Sequence, residues 1–114
     1  YTGVAPLQKQ HGQSLRPLIE NPRATRDFAY NEWELLPART GVPLSLRTVR
    51  TKAYKLTIDE QSGVGEMYDR ANDPNEMTNI FDNPNAAVAR KELLDMIAAR
   101  PDDARPPQTP VGQA

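Results

Sequence analysis

The side chains of this chain that could perform chemistry are few and scattered. His11 is the single histidine among 114 residues and there is no cysteine, which excludes thiolate zinc sites, iron–sulfur clusters, disulfides and cysteine nucleophiles. Carboxylates are adjacent at Asp59 and Glu60, beside a predicted turn, and at 102–103, in a proline-rich stretch. Solvated charge is the simpler interpretation of both pairs. These residues by themselves assemble no catalytic centre and no metal site.

Nucleotide binding and acyl transfer find no support in the other motifs. No glycine-rich loop joins a predicted strand to a helix, since Gly63 and Gly65 belong to a predicted hairpin turn, so no phosphate cradle is indicated. Ser14, Ser45 and Ser62 lack a nucleophile-elbow sequence around them. Nothing places the single histidine beside any of these hydroxyls.

A basic stretch follows the central predicted strands. Its four cations are Arg47, Arg50, Lys52 and Lys55. The favoured interpretation is charge pairing across the sheet with Glu32, Glu34 or Glu66. The alternative is that some of these cations line a pocket for an anionic substrate, which would require a neighbouring catalytic domain.

Trp33 lies between two carboxylates, Glu32 and Glu34, near the end of the first predicted strand. A tryptophan in such a place is more often part of a core or of a contact between domains than a stacking surface for a ligand. Both interpretations remain open at the level of sequence.

Composition excludes several classes of partner. Fourteen Lys and Arg residues against fifteen Asp and Glu residues leave a net charge of −1, which offers no electrostatic case for binding nucleic acid or an anionic membrane. No segment approaches the roughly 20 apolar residues of a membrane helix. The hydrophobic share is only 38% and the chain starts at Tyr1. We therefore expect a piece of a larger protein whose main core lies elsewhere.

The patterns divide the chain into three parts and predict an α+β fold. Residues 1–26 are expected to form an irregular linker segment with a short helical turn, because prolines interrupt any longer helix. Residues 27–100 are expected to form a small antiparallel sheet of three to four strands packed with one C-terminal helix. Residues 101–114 contain four prolines and are expected to be a disordered tail.

Alternating aromatic and β-branched residues define the strands. The first is predicted over 28–33, with a bulge or the strand end before Trp33, because this side chain falls on the face opposite Phe28 and Tyr30. A loop is expected over 35–43. Further strands are predicted at 46–50, 54–58 and 66–69, joined by tight turns.

Two capping sequences follow the strands. Residues 73–76 (DPNE) have the form of a capping box that starts a single turn, with Asp73 accepting from a backbone amide and Glu76 reaching back. Asn83 and Pro84 repeat the arrangement and predict a helix over 84–100. The predicted apolar stripe of this helix comprises Ala86, Ala89, Leu93, Met96 and Ile97.

Several phrases in a fixed order resemble the C-terminal part of sulfatases. Residues 11–19 (HGQSLRPLI) are similar to the D-G-x-S-L-x-P-L-L phrase of that family, with His11 where Asp is common. Residues 46–57 (LRTVRTKAYKLT) resemble its R-x-V-R-T-x-x-Y-K-Y/L strand pair. Residues 65–69 (GEMYD) and 72–80 (NDPNEMTNI) resemble its G-E-L-Y-D-L-x-x-D-P-x-E-x-x-N-L phrase. The resemblance covers about residues 11–100.

The resemblance implies the C-terminal subdomain of a sulfatase of the alkaline-phosphatase-like superfamily. Such enzymes hydrolyse sulfate esters with a formylglycine, made from the Cys or Ser of a Cys/Ser-x-Pro-x-Arg motif, and with a divalent cation that is usually calcium. Neither this motif nor a cysteine is present here. The nucleophile and the metal site are therefore expected upstream, no cofactor is expected in this segment, and the segment alone is expected to be inactive.

On this resemblance the chain contributes structure and part of the pocket rim. Its partners are expected to be the upstream catalytic domain and a sulfate-ester small molecule or glycan. The candidate rim residues are His11, Glu32, Trp33 and Glu34. Two alternatives remain: a free-standing, non-catalytic α+β interaction module, and the C-terminal part of a phosphonate or phosphate monoester hydrolase of the same superfamily.

Overall fold

A four-stranded antiparallel sheet and one long helix form the body of the protein. The computed structural model describes residues 13–35 and 41–100. In chain order the elements are α1 (Arg16–Glu20), β1 (Phe28–Leu35), β2 (Leu44–Thr51), β3 (Tyr54–Asp59), β4 (Gly65–Asp69), a 3-10 turn (Pro84–Ala86) and α2 (Ala87–Ala98). The predicted α+β class is confirmed, with four strands. No helix in the described ranges is long and apolar enough to cross a membrane.

The sheet is a simple meander in which every strand pairs antiparallel with the next along the chain, in the order β1-β2-β3-β4. One cross-strand row joins Tyr30, Val49, Leu56 and Met67. The last three of these side chains are completely buried. This row is the centre of the core, because it faces α2.

Helix α2 covers that face with Leu93 and Ile97, which pack against the buried row. The Tyr30 hydroxyl donates to the Met96 carbonyl over 2.8 Å and so fastens β1 to the helix. The predicted apolar stripe is confirmed, since its five residues are all buried or half-buried. The Asn83 side chain accepts from the Asn85 amide as predicted, but a 3-10 turn precedes the α-helix and the helix ends at Ala98.

The first strand differs from its prediction. β1 runs from Phe28 to Leu35 and pairs with β2 in unbroken register, so the bulge or strand end predicted before Trp33 is wrong. The alternation of side chains simply continues. Glu32 and Glu34 share the helix side with Tyr30, and Trp33 lies on the other side. The sequence pattern predicted a break here because Glu32 and Glu34, rather than apolar residues, occupy the helix-facing positions at this end of the strand.

The single turn predicted over 73–76 is confirmed, with the Glu76 amide donating to the Asp73 carbonyl at 3.1 Å, but the predicted side-chain capping box is wrong. Glu76 has a left-handed φ of 54° and ends a turn instead of opening a helix. Its carboxylate binds Lys55 Nζ over 2.5 Å rather than the backbone. The Asp73 carboxylate accepts from the Thr78 amide. A tertiary ion pair with β3 has therefore replaced the local cap.

The outer edge of β4 is closed by the segment that follows this turn. Asn79 Oδ1 accepts from the amides of Met67 and Phe81 at 3.0 and 2.9 Å, and the Ile80 amide donates to the Met67 carbonyl at 2.8 Å. Phe81 lies so close to Gly65 that a Cβ there would approach its ring to 2.4 Å. Glycine is thus required at the start of β4 for this closure.

Asp59 holds the turn between β3 and β4. Its carboxylate accepts from the Ser62 hydroxyl at 2.6 Å and from the Ser45 amide at 2.9 Å. These hydrogen bonds, that of Ser62 first, lower the pKa of Asp59 below its ordinary value. The expectation that Asp59 is merely a solvated charge is wrong, since its side chain is buried and joins the turn to β2.

This pKa gives the fold an acid-sensitive contact. A carboxyl group with a lowered folded-state pKa stabilises the protein above its unfolded-state pKa, and the stabilisation is lost as the pH falls through the folded-state value. We expect the free energy of unfolding to decline below about pH 4. Asp59→Asn should flatten this decline and Ser62→Ala should reduce it, as measured by urea unfolding across the acid range. An unchanged slope in Asp59→Asn would contradict the assignment.

Candidate functional site

The four candidate rim residues fall in different surroundings. Glu32 and Glu34 lie on the helix side of β1, and Trp33 lies on the opposite side. His11 is outside the described residues. The structure thus brings together two of the four candidates, Glu32 and Glu34. Both lie beside Arg47 on β2.

Arg47 is the centre of this group. It stands directly opposite Glu32 on the neighbouring strand, and only 8% of its side chain is exposed. Arg47 Nη2 lies 2.5 Å from Glu34 Oε1, and Arg47 Nε lies 3.4 Å from Glu32 Oε1 and 3.1 Å from Glu60 Oε2. The favoured prediction of cross-strand charge pairing is therefore confirmed for this residue.

A second guanidinium joins the same carboxylates from the end of the helix. Arg100 Nε lies 2.8 Å from Glu32 Oε1, and Arg100 Nη2 lies 2.9 Å from Glu60 Oε1. Arg100 Nη1 also donates to the Ile97 carbonyl at 2.8 Å, in the last turn of α2. Arg47, Arg100, Glu32, Glu34 and Glu60 are called the charge network below. It joins β1, β2, the end of β3 and the end of α2.

Sequence reasoning missed the role of Glu60 in this network. We expected Asp59 and Glu60 to be solvated charges, and the structure shows both to be engaged. The position of Glu60 in the sequence could have indicated this role, because the residue lies one position beyond β3. This is the end of the sheet at which Arg47 on β2 lies. Glu66, named as a possible partner of the cations, instead accepts from the Tyr68 hydroxyl at 3.0 Å.

The charge network carries one more carboxylate than guanidinium groups, so it is not poised to bind an anion. Three carboxylates, each about a third exposed, face two guanidinium groups. Arg47 Nε is buried without a hydrogen bond of good geometry, so its contacts with Glu32 and Glu60 are electrostatic only. The charge of this buried cation is neutralised by carboxylates that the fold holds in place. It is therefore not available to line an anion pocket.

The remaining cations of the basic stretch lie away from the network. Lys55 binds Glu76 and stands 5.6 Å from the centre of the Tyr68 ring. Arg50 and Lys52 are exposed near the β2–β3 turn. Because these groups lie at the opposite end of the sheet from the network, the structure does not gather the four cations into one pocket.

The sheet side that faces away from α2 carries a compact apolar group. Trp33 stands directly opposite Leu46, and Leu35 directly opposite Leu44. Trp33 is 58% exposed, and the three leucines are half-buried. These four residues are called the apolar block, and the sheet side that carries them is called the open face. Such a cluster on the outer side of a two-layer domain is unusual, since the solvated face of an antiparallel sheet is generally polar.

Catalytic machinery is not gathered by this arrangement. In the ranges 13–35 and 41–100 no group of three or more His, Asp or Glu side chains is placed to hold a metal ion. The complete sequence has no cysteine and no Ser-x-Pro-x-Arg motif from which a formylglycine could be made. The residues present therefore do not fit the calcium and formylglycine of the sulfatase family, and no reaction step is assigned to them.

The described residues thus form a meander with one covering helix, a charge network at one end and an exposed apolar block on the open face. The family of N-sulphoglucosamine sulphohydrolase C-terminal domains matches residues 1–102 of the chain. The chain belongs to this family, and the resemblance to sulfatases seen in its sequence is confirmed.

Individual relatives agree with the family. The chain is 35% identical over 106 residues to an N-acetylglucosamine-6-O-sulfatase of Bacteroides thetaiotaomicron, a match that covers 85% of the chain and 18% of the relative. A structure solved in complex with its substrate D-glucosamine-2-N,6-O-disulfate is 33% identical with a TM-score of 0.68, over 84% of the chain and 20% of that protein. The phosphonate monoester hydrolase of Agrobacterium radiobacter is 26% identical with a TM-score of 0.59, over 81% of the chain and 21% of that protein.

The matches cover most of this chain but only a small part of each relative. The chain spans about a fifth of each relative. Each of these relatives therefore contains a domain of this kind together with a much larger remainder.

The charge network makes a clear prediction for stability. Arg47→Met leaves three carboxylates together without their central cation. Removing one partner of a fully buried pair costs about 3–5 kcal/mol, and the partial exposure of the carboxylates lowers the expected loss to about 2 kcal/mol. Arg50→Met is the matched control on the same strand, because Arg50 is exposed, and should change stability by no more than about 0.5 kcal/mol. Urea unfolding measures both variants, and equal losses would contradict the role of the network.

Proposed function

We propose that this chain is the C-terminal domain of a sulfatase-type hydrolase, joined to an upstream α/β domain that carries the nucleophile and the metal site. The observation that carries the proposal is the family match over residues 1–102, in relatives of which such a domain is about a fifth. The full-length enzyme would hydrolyse sulfate esters, with formylglycine and calcium supplied by the upstream domain. The chain by itself would be inactive.

The proposed substrate class is a sulfated glycan that contains glucosamine. Two relatives support it: one is an N-acetylglucosamine-6-O-sulfatase, and the other was solved with a disulfated glucosamine as its substrate. A second candidate activity, hydrolysis of phosphonate monoesters, is supported by the Agrobacterium radiobacter neighbour. The two activities would differ in the upstream pocket rather than in this domain.

The proposed contribution of this domain is part of the pocket rim. The candidates are His11, Glu32, Trp33 and Glu34. Glu32 and Glu34 would act as positioning residues, because their carboxylates are bound to Arg47. Through these ion pairs the charge network would hold the end of β1, which carries three of the rim candidates, in a constant position.

The first experiment tests the activity. The reading frame upstream of Tyr1 should contain a Cys/Ser-x-Pro-x-Arg motif, and the polypeptide expressed from it should release sulfate from an aryl sulfate and from 6-O-sulfated N-acetylglucosamine. Activity should be lost after removal of calcium by a chelator. Residues 1–114 expressed alone serve as the control and should show no turnover.

Three other results would contradict the proposal. Turnover by the 114-residue chain would show that the chemistry does not lie upstream. A frame that begins with an initiating Met close to Tyr1 would favour the free-standing interaction module. Hydrolysis of aryl phosphonates with no turnover of sulfate esters would favour the phosphonate monoester hydrolase.

The second experiment tests the rim. In the full-length enzyme, Glu34→Gln should raise KM for the sulfated sugar several-fold with little change in kcat, because it weakens the hold on the end of β1 without touching the reacting atoms. Glu66→Gln is the matched control on β4 and should leave KM unchanged. A purely structural role for Glu34 would lower the Tm and leave KM at the wild-type value.

A further inference from the structure

Within the described residues, the two sides of the sheet are covered unequally. On the helix side, three of the four side chains of the central row are completely buried, while the open face presents Trp33 at 58% exposure beside three half-buried leucines. We propose that the apolar block, with Trp33 as its anchor, is the surface on which the catalytic domain of the same polypeptide docks. This inference rests on the proposed function, because that function supplies the occupant.

Register makes the apolar block a single surface rather than scattered side chains. Two cross-strand pairs, Trp33 with Leu46 and Leu35 with Leu44, lie two residues apart along the same two strands. Side chains in such positions touch both across and along the sheet. The other large exposed apolar residues among those described are distributed over the remaining elements and turns: Leu15 and Ile19 at α1, Phe28 at the start of β1, Val42 just before β2, Val64 at the β3–β4 turn, Met77 in the loop after β4 and Val88 on the outer side of α2. Single exposed residues of this kind are normal.

The polar groups beside the block are already satisfied, which makes the surface suitable for burial. Asp59 on β3 stands directly opposite Leu46 on β2. Its carboxylate accepts hydrogen bonds from the Ser45 amide and the Ser62 hydroxyl. In the next row the hydroxyls of Thr48 and Thr57 bond to each other over 3.0 Å. Among the described residues at this end of the face, a covering domain would therefore meet no unpaired buried charge. Desolvated aromatic anchors that lie among satisfied polar groups are typical of stable interfaces.

The far end of the open face supplies the polar margin that an interface needs. Arg50 is exposed there, and Lys55 is half-buried and ion-paired with Glu76. The face thus grades from the apolar block, through the threonine pair, to a cationic margin. A domain that docks on it would place an apolar patch over Trp33 and carboxylates near Arg50.

The catalytic domain fits this face better than a second copy of the chain. In each of the three relatives the matched part is only about a fifth of the protein, so a much larger body is always joined to it. An apolar surface is tolerated in a soluble protein when its cover is permanent. Covalent connection also gives the cover a high effective concentration, which a second copy lacks.

Trp33 is the only tryptophan in the chain, and its reactivity reports directly on the cover. Hydroxyl-radical footprinting with mass spectrometry should be applied to the unfolded chain, to the folded 114-residue chain and to the full-length polypeptide. We expect Trp33 to be oxidised readily in the first two and several-fold more slowly in the third.

A variant pair tests the anchor. Trp33→Lys and Val88→Lys each replace an exposed apolar residue, one in the apolar block and one on the outer side of α2. Both should leave the Tm of the 114-residue chain nearly unchanged, which shows that each variant folds. In the full-length polypeptide only Trp33→Lys should lower the Tm of the C-terminal domain and restore rapid hydrogen exchange on β1 and β2.

The outcomes separate this inference from the proposed function. Oxidation of Trp33 at the same rate in an active full-length sulfatase as in the isolated chain would overturn the docking surface and leave the activity standing. Protection of Trp33 in a polypeptide without sulfatase activity would support the docking surface and remove the proposed function. Sedimentation of the isolated chain as a dimer with Trp33 protected would assign the face to a second copy and overturn the inference.

Discussion

Arg47 is the side chain on which the geometry of the domain depends. A guanidinium that is 8% exposed must be neutralised where it lies, and the carboxylates that do so come from β1 and from the end of β3. Two of these carboxylates also bind Arg100, at the end of α2. The electrostatic requirement of one buried cation therefore fixes two strands and the helix end at once. The apolar core holds the helix along its length, through Leu93, Ile97 and their neighbours.

The charge network and the apolar core together explain how a chain with only 38% hydrophobic residues forms an ordered sheet. One helix covers one side of the sheet, and the core needs only a single row of fully buried side chains across the strands. Hydrogen-bonded polar groups complete the margins: Asp59 at the β3–β4 turn and Asn79 at the outer edge of β4. A sheet built in this way is complete on the helix side and incomplete on the other. The second side is then free to serve an interface.

Membership of the sulfatase C-terminal family gives this asymmetry a functional meaning. Under the proposed function, the domain would contribute to hydrolysis by holding a surface in place. The charge network and the apolar block are suited to that task in different ways. Ion pairs are directional and fix the strand end from which a loop departs, whereas an apolar surface is adaptable and supplies most of the free energy of docking. The two features project from opposite sides of β1, which makes this strand the link between the domain and its surroundings.

Local patterns in the sequence determined the class of the fold. Period-two alternation from Leu44 onward located β2, β3 and β4, and the apolar stripe from Ala86 to Ile97 located the helix and its buried side. The order of short phrases determined the family. These features were readable because hydrophobic periodicity and turn chemistry act between residues close in the chain. The pairing of Arg47 with Glu32 and Glu34 was also foreseen, since adjacent antiparallel strands bring such residues opposite one another.

Only the tertiary structure decided the rest. Glu60 and Arg100 reach the charge network from positions far along the chain, and their approach depends on how the helix end meets the sheet. Glu76 does not form the capping box that its sequence predicts, because its carboxylate pairs with Lys55 on β3 instead. Trp33 lies on the open face within the unbroken strand β1, because Glu32 and Glu34 occupy the positions that face the helix side there. Sequence determines which side chains can interact, but their free energies depend on burial and on distance, which are fixed only when the chain has folded.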